Sequence, residues 1–190
     1  MIAYRWSAQP GNPLYEARFD LNALVGVDIA DVQTIAGRWN TDCNQWALPR
    51  APLTSGLDAL SLVVEGGPNG PVTATIWAQD VLNLGAFQLG LSYPAGLSVA
   101  SVDLGPFVTQ SGRSFFPLTE DDQAGALSVA AFSLGASPAG PSGTGPIARV
   151  VFASTGAAGS PALTEGALSD ITGQTISGPA ARVYLPVVGR

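Results

Sequence analysis

The stretch VTATIWAQDVLNLGAFQLGLSY, residues 72–93, contains two segments in which apolar and polar or small side chains alternate. In the second segment Phe87, Leu89, Leu91 and Tyr93 occupy every other position, and the side chains between them are small or polar. Successive side chains of a β-strand point to opposite faces of its sheet. The stretch therefore predicts strands with one face in a core and the other face small and flat.

Short segments of the same kind recur along the chain and are bounded by Gly, Pro, Asn or Asp. They include LSVASVDLG, ALSVAAFSL and IARVVFAS. Regularly spaced short strands favour a sandwich or barrel over βαβ units. The 23 Gly, the 15 Pro and the 12% of charged residues also fit a turn-rich, mostly β domain.

Composition and charge exclude several functions. The net charge of −6, with only 8 Lys and Arg, argues against a nucleic-acid partner. No apolar run reaches the length of about 18 residues that predicts a membrane span, and no secretory signal is evident at the N-terminus. Without histidine and with a single cysteine, Cys43, the chain cannot assemble Ser-His-Asp or Cys-His catalysis or a thiolate-rich zinc site. We predict a protein that is not an enzyme.

The acidic run Glu120, Asp121 and Asp122 has two interpretations. Paired carboxylates placed across a sugar perform glycoside hydrolysis. Adjacent acids followed by small residues are more typical of a solvated turn between strands, and this second interpretation is favoured.

A different pattern precedes the β-rich part, in FDLNALVGVDIADVQTIAGRW, residues 19–39. From Asp28 onwards Ile29, Val32 and Ile35 fall on one side of a 3.6-residue period, and Asp28 is placed to cap a helix. We predict one short amphipathic helix that is held mainly by the apolar packing of these three residues. Polar and Pro-containing sequence then connects this helix to the β-rich part.

The order of the β segments resembles a cohesin domain over roughly residues 58–183. The resemblance lies in VTATIWAQDVLNLGAFQLGLSYPAGLSVASVDLG, GALSVAAFSLG, GTGPIARVVFAS and the closing LSDITGQTI. It implies an all-β jelly-roll sandwich of about nine strands that binds a partner on one sheet face and performs no chemistry. The helix then forms a short N-terminal loop-helix appendage.

The appendage itself is similar to a single dockerin repeat, the usual partner of a cohesin. Asp20, Asn22, Asp28 and Asp31 match loop positions 1, 3, 9 and 12 of the dockerin calcium loop, whereas Leu24 stands where a carboxylate is expected. Val25 stands where Gly is expected, and a β-branched residue is strained at a positive φ. We expect calcium to bind weakly or not at all, because one ligand is missing and Val25 forces the loop from its standard path. A turn followed by an Asp-capped helix is the other interpretation of these residues.

The resemblance implies non-catalytic recognition of a dockerin-type module, in cis or in trans. The predicted contact residues are Gln88, Ser92, Phe132 and Arg149 on the sandwich and Ile29, Ala30 and Gln33 on the helix. Phe132 lies on the outer face if the strand alternates strictly, and in the core if a bulge intervenes. The helix then docks on its own sandwich or on a neighbouring copy, and the second arrangement gives head-to-tail self-association.

Two other functions stay open. A sandwich of this kind also suits a carbohydrate-binding module that uses Trp6, Trp46 or Trp77, or a structural spacer in a surface protein. The predicted organisation is a dockerin-like segment at 1–48, a linker at 49–57 and the sandwich at 58–190. The resemblance implies an extracellular or cell-surface location.

Overall fold

A computed structural model of the protein describes residues 2–21, 26–37, 56–66, 70–135, 139–154, 156 and 159–176. Among these residues there are two α-helices and eight β-strands. In chain order they are α1 (Ile29–Gly37), β1 (Leu60–Glu65), β2 (Val72–Val81), β3 (Leu84–Ser92), β4 (Leu97–Leu104), α2 (Pro106–Thr109), β5 (Ser114–Asp121), β6 (Ala126–Leu134), β7 (Gly143–Ser154) and β8 (Ala162–Asp170). Short 3-10 turns lie at Ala3–Arg5, Ala17–Phe19 and Gly56–Ala59.

The strands form two four-stranded antiparallel sheets that face each other. Sheet A has the order β1-β2-β7-β4, and sheet B has the order β5-β6-β3-β8. β2 and β3 follow each other in sequence but belong to different sheets, so the turn between them carries the chain across the sandwich. This arrangement confirms the predicted all-β jelly-roll sandwich. The described residues contain eight of the approximately nine strands that the resemblance implied.

The alternation in β3 places its side chains as predicted. Phe87 and Leu89 are completely buried between the sheets, and Leu91 and Tyr93 join them. The core also takes Ile76 and other side chains from sheet A, because the inner faces of both sheets alternate in the same way. Burial of these side chains supplies the main favourable free energy of folding.

The prediction that the acidic run Glu120–Asp122 forms a turn between strands is confirmed in part. Glu120 and Asp121 end β5, and Asp122 begins the turn to β6. The Asp122 carboxylate accepts the backbone N–H groups of Ala124 and Ala126 at 2.8 and 2.9 Å. These hydrogen bonds lower the pKa of Asp122 and hold the turn closed.

The N-terminal segment ends in α1, which lies across the outer face of sheet B and contacts β6, β3 and β8. The helix confirms the predicted amphipathic element, and Ile29 and Val32 are buried as expected. Ile35 is only half-buried and lies outside the apolar contact, so the prediction was wrong for that residue. No helix among the described residues is long and apolar enough to cross a membrane.

Most of the predicted linker and its neighbourhood lie outside the described residues. Trp39, Cys43 and Trp46 belong to this part of the chain. The proposed boundaries at residues 48 and 57 therefore stay a prediction.

Candidate functional site

The outer face of sheet B is the candidate functional site, because the chain's own N-terminal segment is seated on it. Register pairs Phe116 with Phe132 and Leu118 with Ala130 across β5 and β6. On the other side of β6, strand β3 extends these two pairs into rows of three residues, because Ala86 pairs with Phe132 and Gln88 pairs with Ala130. Each row therefore crosses three strands and presents a mostly apolar strip to α1.

The helix and these rows share a small apolar cluster, which we call the interface cluster. Its buried members are Ile29, Val32, Ala86 and Ala130, and the partly buried side chains of Ile2, Ala3, Trp6, Leu118 and Phe132 pack around them. Ala86 and Ala130 point away from the sandwich core and are nevertheless 0% exposed. The interface cluster is separate from the core cluster between the sheets.

Gln88 provides the polar contact at the start of α1. Its Oε1 atom accepts a hydrogen bond from the Trp6 indole Nε1–H at 3.0 Å and another from the Ile29 backbone N–H at 3.3 Å. The first N–H groups of a helix have no partner within the helix, so an acceptor at this position satisfies one of them. Gln88 thus holds both Trp6, in the segment before the helix that we call the arm (residues 2–12), and the start of α1 over β3.

Gln33 provides the corresponding contact one turn further along the helix. Its Oε1 accepts the Ser133 backbone N–H at 3.0 Å, and its Nε2–H donates to the Ile171 carbonyl at 3.1 Å. The Gln33 side chain is 0% exposed, so both bonds are shielded from water. Closer to the arm, the Ser7 hydroxyl donates to Glu120 at 2.8 Å.

Two glycines allow the backbones to approach closely beside Gln33. A Cβ atom added to Gly37 would lie 2.1 Å from the Ile171 carbonyl oxygen, and one added to Gly173 would lie 2.3 Å from the Thr34 hydroxyl oxygen. Distances this short are impossible for real side chains. Gly173 ends the turn that begins at Asp170, and its φ there is +86°.

The structure brings together four of the predicted contact residues. Gln88, Phe132, Ile29 and Gln33 all lie in the contact between α1 and sheet B. Phe132 is on the outer face, half-buried, with its ring stacked on Phe116 at 5.6 Å between centroids, so strict alternation holds for β6.

Three predicted residues lie elsewhere. Ala30 is buried but outside the interface cluster, and Ser92 is exposed at the far end of β3. Arg149 is on β7, which belongs to sheet A, so the predicted grouping of Arg149 with Gln88 is corrected. β7 pairs with β2 and β4, and its outward side chains point away from sheet B.

Sequence reasoning missed Trp6 and Ser133 as members of the contact. Trp6 lies in an arm without periodicity, and an aromatic residue before an amphipathic helix is the only signal it offers. Ser133 contributes a backbone N–H, which no side-chain pattern can reveal. Trp77, the other described candidate for sugar stacking, is half-buried in β2 of sheet A.

The carboxylates at the start of α1 act as caps. Asp28 Oδ1 accepts the N–H groups of Ala30 and Asp31 at 2.8 and 3.3 Å, and Asp31 Oδ2 accepts the Asp28 N–H at 2.9 Å. This reciprocal pair is a capping box. Asp31 Oδ1 also accepts the Leu21 N–H at 2.8 Å, which ties the preceding chain to the helix.

The predicted degenerate calcium loop is described only in part. Asn22 lies outside the described residues, and the Asp28 and Asp31 carboxylates are turned to backbone donors. Asp20 Oδ2 accepts the Tyr15 hydroxyl at 3.0 Å, while its Oδ1 is buried without a hydrogen-bond partner. Within the described ranges, no three His, Cys, Asp or Glu side chains are grouped so that they could hold a metal ion.

The Asp31 carboxyl predicts a pH dependence of the N-terminal segment. Burial, the largest cause, and the charges of Asp28 and Asp20 raise the pKa of Asp31 to about 7, although two backbone N–H groups oppose the shift. Between the ordinary value of 3.8 and about 7, the folded segment holds a proton that the unfolded segment has lost. Its stability therefore falls as the pH rises through this window.

Hydrogen exchange of the Ile29 amide, corrected for intrinsic rates, measures this dependence between pH 4.5 and 8. The Asp31→Asn variant is expected to lose the slope, because it cannot titrate. An equal slope in both proteins would contradict the assignment to Asp31.

Comparisons with solved structures concern the sandwich. The chain is similar to a type II cohesin domain from the cellulosome of Acetivibrio cellulolyticus, with 16% identity over 66% of this chain and 91% of that chain and a TM-score of 0.53. A type II cohesin from a cohesin-X-dockerin complex of the same organism matches with 14% identity, 63% and 92% coverage and a TM-score of 0.51. The second type II cohesin module of its adaptor scaffoldin matches with 13% identity, 63% and 88% coverage and a TM-score of 0.50.

No family model and no curated protein matches the sequence. Identities this low show the fold and leave the function to be argued from the site. The described strands, their order in two sheets and these likenesses give one conclusion: the sandwich has the cohesin fold.

Proposed function

We propose that this protein is a non-catalytic recognition module whose sheet B binds an amphipathic helix on its outer face. The observation that carries the proposal is that α1 of the same chain already occupies this face. Its apolar side is enclosed in the interface cluster, and Gln88 and Gln33 make hydrogen bonds at either end of the contact. An apolar centre with polar contacts around it is typical of a protein interface.

The separation of the two apolar clusters supports a docking contact rather than an extension of the core. Phe87 and Leu89 fill the space between the sheets, whereas Ala86 and Ala130 face the helix. The sandwich therefore keeps its own core when α1 leaves. Docking and folding of the sandwich are separate events.

The partner class we propose is a dockerin-type helical module, in cis as α1 or in trans on another protein. One similar structure is a cohesin in complex with a dockerin, which supports this class. The first segment of the chain is then a degenerate dockerin-like repeat. Since a similar structure comes from a cellulosome, we also propose an extracellular or cell-surface location.

We further propose that α1 docks without calcium. The capping box already satisfies the N–H groups of Ala30 and Asp31 at the helix start, which is the part of the helix that a loop-bound cation would organise. Apolar contact and the amides of Gln33 and Gln88 then hold the helix in place.

A titration in trans tests the proposed function. The Val32→Asp variant of the full chain, in which α1 is expected to leave the sheet, is titrated with a synthetic peptide of residues 2–37 in a calorimeter. If the docked form of the chain outnumbers the undocked form about a hundredfold and the effective concentration of the tethered helix is about 1 mM, the separate peptide should bind with a Kd of about 10 µM. Equal affinities in calcium and in chelator are expected.

The control peptide carries the same Val32→Asp change and should not bind. Absence of binding by the unchanged peptide, with the strands of the variant shown to be folded, would overturn the proposal. A much tighter affinity in calcium would overturn only the metal-free part. Quenching of tryptophan fluorescence by soluble glycans, without peptide binding, would favour the carbohydrate-binding function instead.

A further inference from the structure

Two backbone groups at one end of sheet B point at the same position of α1. The β3–β6 pairing ends at Ala86 and Phe132, so Ser133 lies one residue beyond it, and its N–H reaches the helix. The Ile171 carbonyl lies in the turn after β8 and also reaches the helix. One group is a donor and the other is an acceptor.

A primary carboxamide satisfies both groups, with a different atom for each. Its oxygen accepts and its NH₂ donates, as Gln33 does here with Ser133 and Ile171. A carboxylate can only accept, an ammonium group can only donate, and a thioether is at most a weak acceptor. Each of these alternatives leaves a backbone group without a strong partner.

The surroundings make such a mismatch costly. Gln33 is 0% exposed, and Gly37 and Gly173 bring the helix backbone and the turn too close together for a larger rearrangement. Ser133 is held from its other side by Arg113, whose Nε–H donates to the Ser133 hydroxyl at 3.1 Å. A buried polar group without a partner in such a site loses its hydration and gains nothing in return.

We propose that the end of sheet B formed by Ser133 and Ile171 is a carboxamide-recognition site that selects helices carrying glutamine at this position. The inference rests on the proposed function and specifies its partner. A matching helix presents Ile-x-x-Val-Gln-x-x-x-Gly, as in residues 29–37, where the apolar residues enter the interface cluster and the glycine permits close approach. The occupant in this chain is its own α1.

The test measures amide hydrogen exchange by NMR in the full chain and in three variants, Gln33→Met, Gln33→Glu and Gln9→Met. The Ile29 amide is bonded to Gln88 only when α1 is docked, and it reports docking without involving Gln33. Loss of the two bonds in Gln33→Met is expected to weaken docking about a hundredfold. Gln33→Glu should weaken it at least tenfold at neutral pH, because its carboxylate faces a carbonyl.

Gln9→Met is the matched control, because Gln9 is an exposed glutamine of the same segment and its loss should change nothing. If Gln33→Met or Gln33→Glu docks as tightly as the unchanged chain, the carboxamide site is refuted. The Val32→Asp variant separates this outcome from failure of the proposed function. If that variant leaves Ile29 protected, helix docking itself is wrong, whereas if it exposes Ile29 while Gln33→Met does not, only the carboxamide inference fails.

Discussion

Replacing Val32 with aspartate is expected to detach α1 from sheet B and to leave the sandwich folded. Val32 is 2% exposed and lies in the interface cluster, where no basic side chain is among the packed residues described. Burying an unpaired carboxylate costs several kcal/mol, which exceeds what one nine-residue helix can recover from a small apolar contact. The docked fraction should fall from nearly complete to a small minority.

The Trp6 indole N–H is a direct probe, because it is bonded to Gln88 in the docked state. Its NMR signal should move to the position of a solvated indole, and its exchange with water should accelerate. The control is Val63→Asp on β1, where the side chain is 46% exposed and should tolerate a charge. A Val32→Asp protein with an unchanged Trp6 signal would show that α1 is not held by this contact.

Shortening Phe87 to alanine is expected to produce the largest loss of sandwich stability. Phe87 is completely buried between the sheets at the centre of β3. Removing a buried phenylalanine ring and leaving a cavity typically lowers the free energy of unfolding by about 3–5 kcal/mol. Urea denaturation, monitored by a signal from the β-strands, should show a lower midpoint concentration that corresponds to this loss. The dependence of the unfolding free energy on urea concentration should be unchanged.

Phe116→Ala provides the comparison on the outer face of the same sheet. Phe116 is 44% exposed and stacks on Phe132, so its loss should cost only about 1 kcal/mol. Equal losses from the two variants would mean that β3 does not run through the core as described.

Local alternation was sufficient to predict the faces of individual strands. Phe87 and Leu89 were predicted in the core and Gln88 on the outside, because successive side chains of a strand point to opposite faces. For Phe132 a bulge was the open alternative, and the structure shows the strict alternation that places it outside. This alternation does not reveal which sheet a strand joins. Arg149 was therefore grouped with Gln88 although β7 belongs to sheet A, where pairing with β2 and β4 decides its place.

The candidate site was predictable on the helix and only partly predictable on the sheet. Ile29 follows from the 3.6-residue period and the cap at Asp28, whereas Gln33 was predicted through the resemblance to a dockerin repeat. The partners of Gln33 are backbone groups of Ser133 and Ile171, which become available because strand pairing ends there. That ending depends on register between distant strands, which a local pattern does not contain.

The two separate apolar clusters have a thermodynamic consequence. Elements that share no core open independently, and a small cluster over few contacts opens at a lower free energy than the sandwich beneath it. The chain should therefore contain two cooperative units of unequal strength. A calorimetric melting temperature would describe the stronger unit, while the concentration of exposed sheet B at ordinary temperatures would be set by the weaker one.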